Sequence, residues 1–106
     1  MIYEHRSYYM LPGKLPEFLE AFAKTPLKVF ERHGAKMVGF WTTMLGQSNE
    51  VTYILSFENL AHRERVWAQI DSDPEMLQYR RESLEHPKVE KIVSKILRPS
   101  AFSPLQ

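Results

Sequence analysis

A chain of 106 residues with 43% hydrophobic, 25% charged and 12% aromatic side chains has the composition of one folded domain, not of a disordered or fibrous segment. Its 14 Lys and Arg nearly balance 13 Asp and Glu, so no strong field draws it to nucleic acid or to an anionic membrane. The absence of cysteine excludes disulfides, zinc–thiolate sites, iron–sulfur clusters and thiol nucleophiles.

Residues 2–10 alternate as a strand does, with Tyr3, His5, Ser7 and Tyr9 on one face and Ile2, Glu4, Arg6, Tyr8 and Met10 on the other. Pro12-Gly13 ends the strand. A helical stretch follows from about Pro16 to His33, its apolar face formed by Leu15, Phe18, Leu19, Phe22, Val29 and Phe30. Pro26 removes a hydrogen bond inside that stretch and predicts a kink or break, and Gly34 suits the position just after the helix end. Residues 36–45 and 51–58 read as two strands of a hairpin closed through Gly46-Gln47-Ser48-Asn49. In the first, Met37, Trp41 and Leu45 are expected on one face and Val38, Phe40 and Met44 on the other. In the second, Val51, Tyr53, Leu55 and Phe57 form the apolar face.

Asn59 caps a helix expected over residues 60–71 with Leu60, Trp67 and Ile70 inward. Asp73-Pro74 starts another through Met76, Leu77 and Leu84, ending before Pro87. Residues 88–98 alternate again, with Val89, Val93 and Leu97 set against Ile92 and Ile96. No internal repeat or linker interrupts residues 1–106, which read as a single domain. No apolar run is long enough to cross a bilayer, and the polar opening Met1–Arg6 carries no leader pattern, so a cytoplasmic protein with no membrane partner is expected.

The order β-α-β-β-α-β is that of an α+β, ferredoxin-like fold, an antiparallel sheet with helices on one face. The other sheet face then carries apolar side chains that a second copy would cover, so a homodimer is expected.

Several short motifs, in order, extend this reading. They are Glu4-x-Arg6-x-Tyr8, Pro12-Gly13-Lys14-Leu15, His33-Gly34, Val38-Gly39-Phe40-Trp41-Thr42-Thr43, Gly46 and Asn49-Glu50-Val51. After them come Leu60, Arg63, Asp73-Pro74, Ile96-Leu97-Arg98-Pro99 and Phe102-Ser103-Pro104. Together they resemble the NIPSNAP family along nearly the whole chain. The resemblance implies a dimeric α+β barrel in which two ferredoxin-like sheets face each other. Relatives by fold include cofactor-free monooxygenases, haem-degrading enzymes and dehalogenation or decarboxylation enzymes, and fold alone assigns none of these reactions. Some longer eukaryotic relatives are mitochondrial and act in protein interactions, a role the resemblance does not carry to a chain of this length.

Glu4, Arg6 and Tyr8 lie in a row on one strand face. Arg6 is placed to hold a carboxylate or other anion, Glu4 to orient Arg6 or act as a base, and Tyr8 to donate to a substrate oxygen. The plainer account is a Glu–Arg pair near a strand end. Trp41, Tyr53 and Trp67 are candidates to line an apolar pocket between sheet and helices, against the plainer account of core packing. Arg63 matches the family pattern and is a further candidate, directed at the cleft or at a dimer contact. His5, His33, His62 and His86 show no metal-ligand spacing, and His5 is the best placed of them for acid–base work or haem ligation. No nucleophile elbow, P-loop, dinucleotide fingerprint or zinc-protease motif is present, so no cofactor or catalytic set is assigned. Two functions remain open: binding or transforming a small apolar or aromatic molecule in a cleft between sheet and helices, or a non-enzymatic protein-interaction module.

Overall fold

In the computed structural model, which describes residues 1–106, eight elements follow one another. They are β1 (Ile2–Met10), α1 (Leu15–Lys24), α2 (Pro26–Arg32), β2 (Lys36–Thr42), β3 (Glu50–Phe57), α3 (Leu60–Ser72), α4 (Pro74–Glu85) and β4 (Val89–Leu97). The four strands form one antiparallel sheet in the order β2-β3-β1-β4, the ferredoxin-like arrangement, with helices on one face. No helix is long and apolar enough to cross a membrane.

Local signals set the helix ends. The expected break falls at Thr25, whose φ of −124° and ψ of −68° lie outside the helix, and Pro26 opens α2 where its missing N–H costs nothing. Gly34 leaves α2 at φ +82°, and its N–H and that of Ala35 satisfy the carbonyls of Glu31 and Phe30. Asn59 caps α3 by accepting from the His62 N–H at 2.8 Å. Asp73 caps α4 by accepting from the Glu75 N–H at 2.9 Å.

Asp73 also ties α2 to the corner between α3 and α4. Its Oδ2 accepts from Arg32 Nη1 at 2.8 Å and from His33 Nε2 at 2.7 Å. The hydrogen bond from His33, aided by Arg32 and the Glu75 N–H, outweighs the effect of burial and holds the Asp73 carboxyl at about 2.

The core lies between the sheet and the helices. Val51, Tyr53, Leu55 and Phe57 of β3 are wholly buried, as are Val29 of α2 and Ile70 of α3. Phe22 of α1 meets Phe18, Phe30, Phe40 and Tyr53, with ring centroids 5.1–5.7 Å apart.

Three side-chain expectations change. The pairing of β2 with β3 slips between Met37 and Gly39, so Met37 and Phe40 share the helix face instead of opposing one another. The strand also stops at Thr42, leaving Met44 and Leu45 exposed in the loop. In β4 a similar slip opposite Tyr9 and Met10 separates Val89 from Val93 and Leu97 and packs it against the core. On the helices, Leu60, expected inward, is exposed, as are Leu77 and Leu84, while Ile70, as expected, and Val66 and Met76 carry the burial.

The depressed Asp73 carboxyl has a measurable consequence. Its contribution to stability is present above the ordinary value of 3.8 and is lost as pH falls through about 2. The wild type is therefore expected to lose more stability across that window than Asp73→Asn, in urea melts at stepped pH. Parallel losses in the two proteins would show that the His33 and Arg32 contacts do not act on the carboxylate.

Candidate functional site

Strand alternation carries Glu4, Arg6 and Tyr8 to the helix face of β1. The antiparallel register sets Tyr53 of β3 opposite Arg6. From above, Arg63 and Trp67 reach down from successive turns of α3.

Glu4 is fully buried and accepts from all three neighbours. Its Oε1 accepts from Arg63 Nε and from Trp67 Nε1, each at 2.8 Å. Its Oε2 accepts from Arg6 Nη1 at 2.7 Å and from Arg63 Nη2 at 3.3 Å. Four donors thus fill the acceptor capacity of one carboxylate. Burial alone would push this carboxyl up, but the hydrogen bonds from Arg63, Trp67 and Arg6 together hold it below its ordinary range. Glu4 is therefore a charged anchor with no free lone pair, and not a base waiting for a substrate proton.

Arg6 continues the network. Its Nε donates to Tyr53 Oη at 2.9 Å and its Nη2 to Tyr8 Oη at 3.1 Å. The two phenol oxygens are 2.9 Å apart. The guanidinium carbon lies 5.1 Å from the Trp67 ring centroid and 5.5 Å from that of Tyr8. Burial opposes the charge on Arg6, whereas Tyr53, Tyr8 and Glu4 favour it, and the guanidinium stays protonated. Burial pushes the Tyr53 phenol well above its ordinary value, so it too stays protonated at neutral pH.

Arg6, Tyr8 and Trp67 form one wall of a cavity of about 510 Å³ between the sheet and α4. Phe18, Phe22 and Phe30 supply its apolar floor, and Met76, Tyr79, Val89 and Ile92 its sides. Arg80, Leu84 and Lys88 also line it. An apolar cavity with a few fixed polar groups has the composition of small-molecule sites. No group of three or more His, Asp and Glu side chains is placed to hold a metal ion.

Six of the seven candidates from the sequence come together here: Glu4, Arg6, Tyr8, Tyr53, Arg63 and Trp67. Of these, Arg6, Tyr8 and Trp67 line the cavity, while Glu4, Tyr53 and Arg63 stand behind them. Trp41 is elsewhere. It pairs with Thr52, on the sheet face away from the helices, and is half exposed. The slip after Met37 turns Phe40, not Trp41, toward the core, and the Trp41 ring crosses Gly39, where any Cβ would collide with it. His5 lies on that same outer face. Tyr79 and Lys88 were missed; helical spacing from buried Met76 would have singled out Tyr79, whereas nothing local marks Lys88.

The matching family model spans residues 3–104 and describes NIPSNAP proteins. The chain belongs to the NIPSNAP family. It is 38% identical over 76 residues to human Protein NipSnap homolog 3A, an alignment covering 71% of this chain and 30% of that one. The chain thus spans under a third of the length of that relative. Among solved structures it resembles an uncharacterized NIPSNAP domain protein from Burkholderia xenovorans, with 29% identity, a TM-score of 0.88 and coverage of 98% and 99% of the two chains. It also resembles protein Atu4242 from Agrobacterium tumefaciens, with 28% identity, a TM-score of 0.90 and full coverage of both.

The charge network makes Glu4 the residue whose loss is felt most. Glu4→Gln leaves two arginines facing an amide and is expected to cost roughly 3–5 kcal/mol in urea unfolding. Arg63→Met is expected to cost less, because Arg63 is 30% exposed and Arg6 and Trp67 still serve the carboxylate. Equal losses would mean that the pairing acts through packing and not through charge.

Proposed function

We propose that this NIPSNAP domain binds a small, largely apolar molecule in the cavity between the sheet and α4, its polar end against Arg6 and Tyr8. The carrying observation is the joining of a 510 Å³ cavity with an aromatic floor to a charge network held rigidly at one wall. Such a wall is preorganised: the guanidinium is clamped from three sides before any ligand arrives. Aromatic rings supply contact area, and the fixed donors supply orientation.

The proposed assembly is a homodimer. β4 is an edge strand with uncovered apolar side chains on both faces, Ile92 and Ile96 on the helix side and Val93 and Leu97 on the other. Trp41 is exposed on that outer face too. A second copy, related by two-fold symmetry, would cover this outer face.

Two measurements test these readings. In thermal-shift assays with a panel of small aromatic compounds, some are expected to raise the melting temperature of the wild type, whereas Ile92→Trp, which fills the cavity from β4, removes the response. A panel that stabilises neither protein, or both alike, refutes binding in this cavity. In sedimentation equilibrium the wild type is expected at twice the chain mass, and Val93→Lys with Leu97→Lys at the monomer mass. A wild-type monomer at micromolar concentration refutes the dimer.

A further inference from the structure

The hydroxyl protons of Tyr8 and Tyr53 can be assigned from their surroundings. Tyr53 is wholly buried, and its oxygen accepts from Arg6 Nε at 2.9 Å. The one acceptor within reach of its own proton is Tyr8 Oη, 2.9 Å away. If Tyr8 donated instead, the Tyr53 proton would be buried without a partner, which is costly. Tyr53 therefore donates to Tyr8. Tyr8 Oη also accepts from Arg6 Nη2, so both its lone pairs are engaged. The Tyr8 proton has no acceptor in the protein, and Tyr8 lines the cavity.

Arg6 has the same character. A guanidinium carries five N–H groups. Three are used, toward Tyr53, Glu4 and Tyr8, with Nε also lying 3.4 Å from Tyr8 Oη. The remaining N–H groups belong to a side chain that lines the cavity. This wall therefore offers donors only.

The charge agrees. Glu4, Arg6 and Arg63 carry −1, +1 and +1, which sum to +1. Arg6, Arg80 and Lys88 line the cavity, and no acidic side chain does. Arg80 is partly balanced by Asp71 at 2.8 Å.

We infer that the cavity selects an oxyanion joined to an apolar body, bound by Arg6 and the Tyr8 hydroxyl, and that Tyr53 is the positioning residue that turns the Tyr8 proton toward it. This rests on the ligand-binding reading above. A carboxylate and an enolate share the needed chemistry: one negative charge and oxygens that only accept. A primary amide of the same shape brings N–H groups to a wall that has no acceptor for them, and a neutral head leaves the positive charge uncompensated.

The test is isothermal titration of matched pairs, 2-naphthoate against 2-naphthamide and 4-phenylbutyrate against 4-phenylbutanamide, with wild type, Tyr8→Phe and Tyr53→Phe. The wild type is expected to prefer each carboxylate by about tenfold or more, the worth of one charge-assisted hydrogen bond. Tyr8→Phe should narrow that preference. Tyr53→Phe should narrow it as well without touching the ligand, whereas a merely structural role would weaken acid and amide alike. Amides that bind as tightly as their acids, or a preference unchanged in Tyr8→Phe, overturn the inference and leave the cavity reading standing. If neither member of any pair binds the wild type, both fall. Should Tyr53→Phe fail to fold, the wild-type pairs and Tyr8→Phe decide the question.

Discussion

The buried carboxylate of Glu4 is the constraint around which the rest is arranged. A charge inside a protein is tolerable only when its hydrogen-bonding capacity is filled, and four donors from three side chains fill it here. Two of those side chains come from α3, so the carboxylate fixes where α3 lies on the sheet. The third, Arg6, is drawn from the same strand and thereby acquires a single orientation. Because Glu4 faces two arginines, the cluster keeps a net positive charge beside the cavity. Removing the carboxylate would free a guanidinium and loosen a helix at once.

The aromatic layer turns this anchor into a wall. Phe40 stacks on Tyr53 with ring planes 7° apart, and Trp67 meets Phe30 edge-on at 5.6 Å. These contacts hold Tyr53 and Trp67 still, and Arg6 lies between their rings. The break at Pro26 lets α1 and α2 take different directions over the sheet, so Phe18, Phe22 and Phe30 all reach the cavity. Stability and site share the same side chains: a change that disturbs the layer disturbs the donor geometry too.

Much of this was legible in the residues. Alternation placed Glu4, Arg6 and Tyr8 together because a strand has a strict period of two, and nothing interrupts β1 before Tyr9. Pro26, Gly34, Asn59 and Asp73 marked helix boundaries because their effects are local to a turn or two. The same period failed in β2, where one slipped residue exchanges the faces of every later side chain and carries Trp41, a pocket candidate, to the outer face. Leu60 was misplaced because a short apolar pattern does not state which helix face meets the sheet.

The sequence by itself determined the order of elements, the helix breaks and caps, and the row of polar residues on β1, all of which follow from local sterics and short-range hydrogen bonding, while its ordered motifs marked the family by resemblance. Tertiary structure alone decided that Arg63 and Trp67 close over Glu4, that the Tyr53 and Tyr8 hydroxyls meet in a hydrogen bond beside Arg6, and that Trp41 lies outside. Those outcomes join residues up to 63 positions apart, as in the bond from Trp67 to Glu4. Their geometry depends on sheet register and on how α3 and α4 settle over it, which no local pattern encodes.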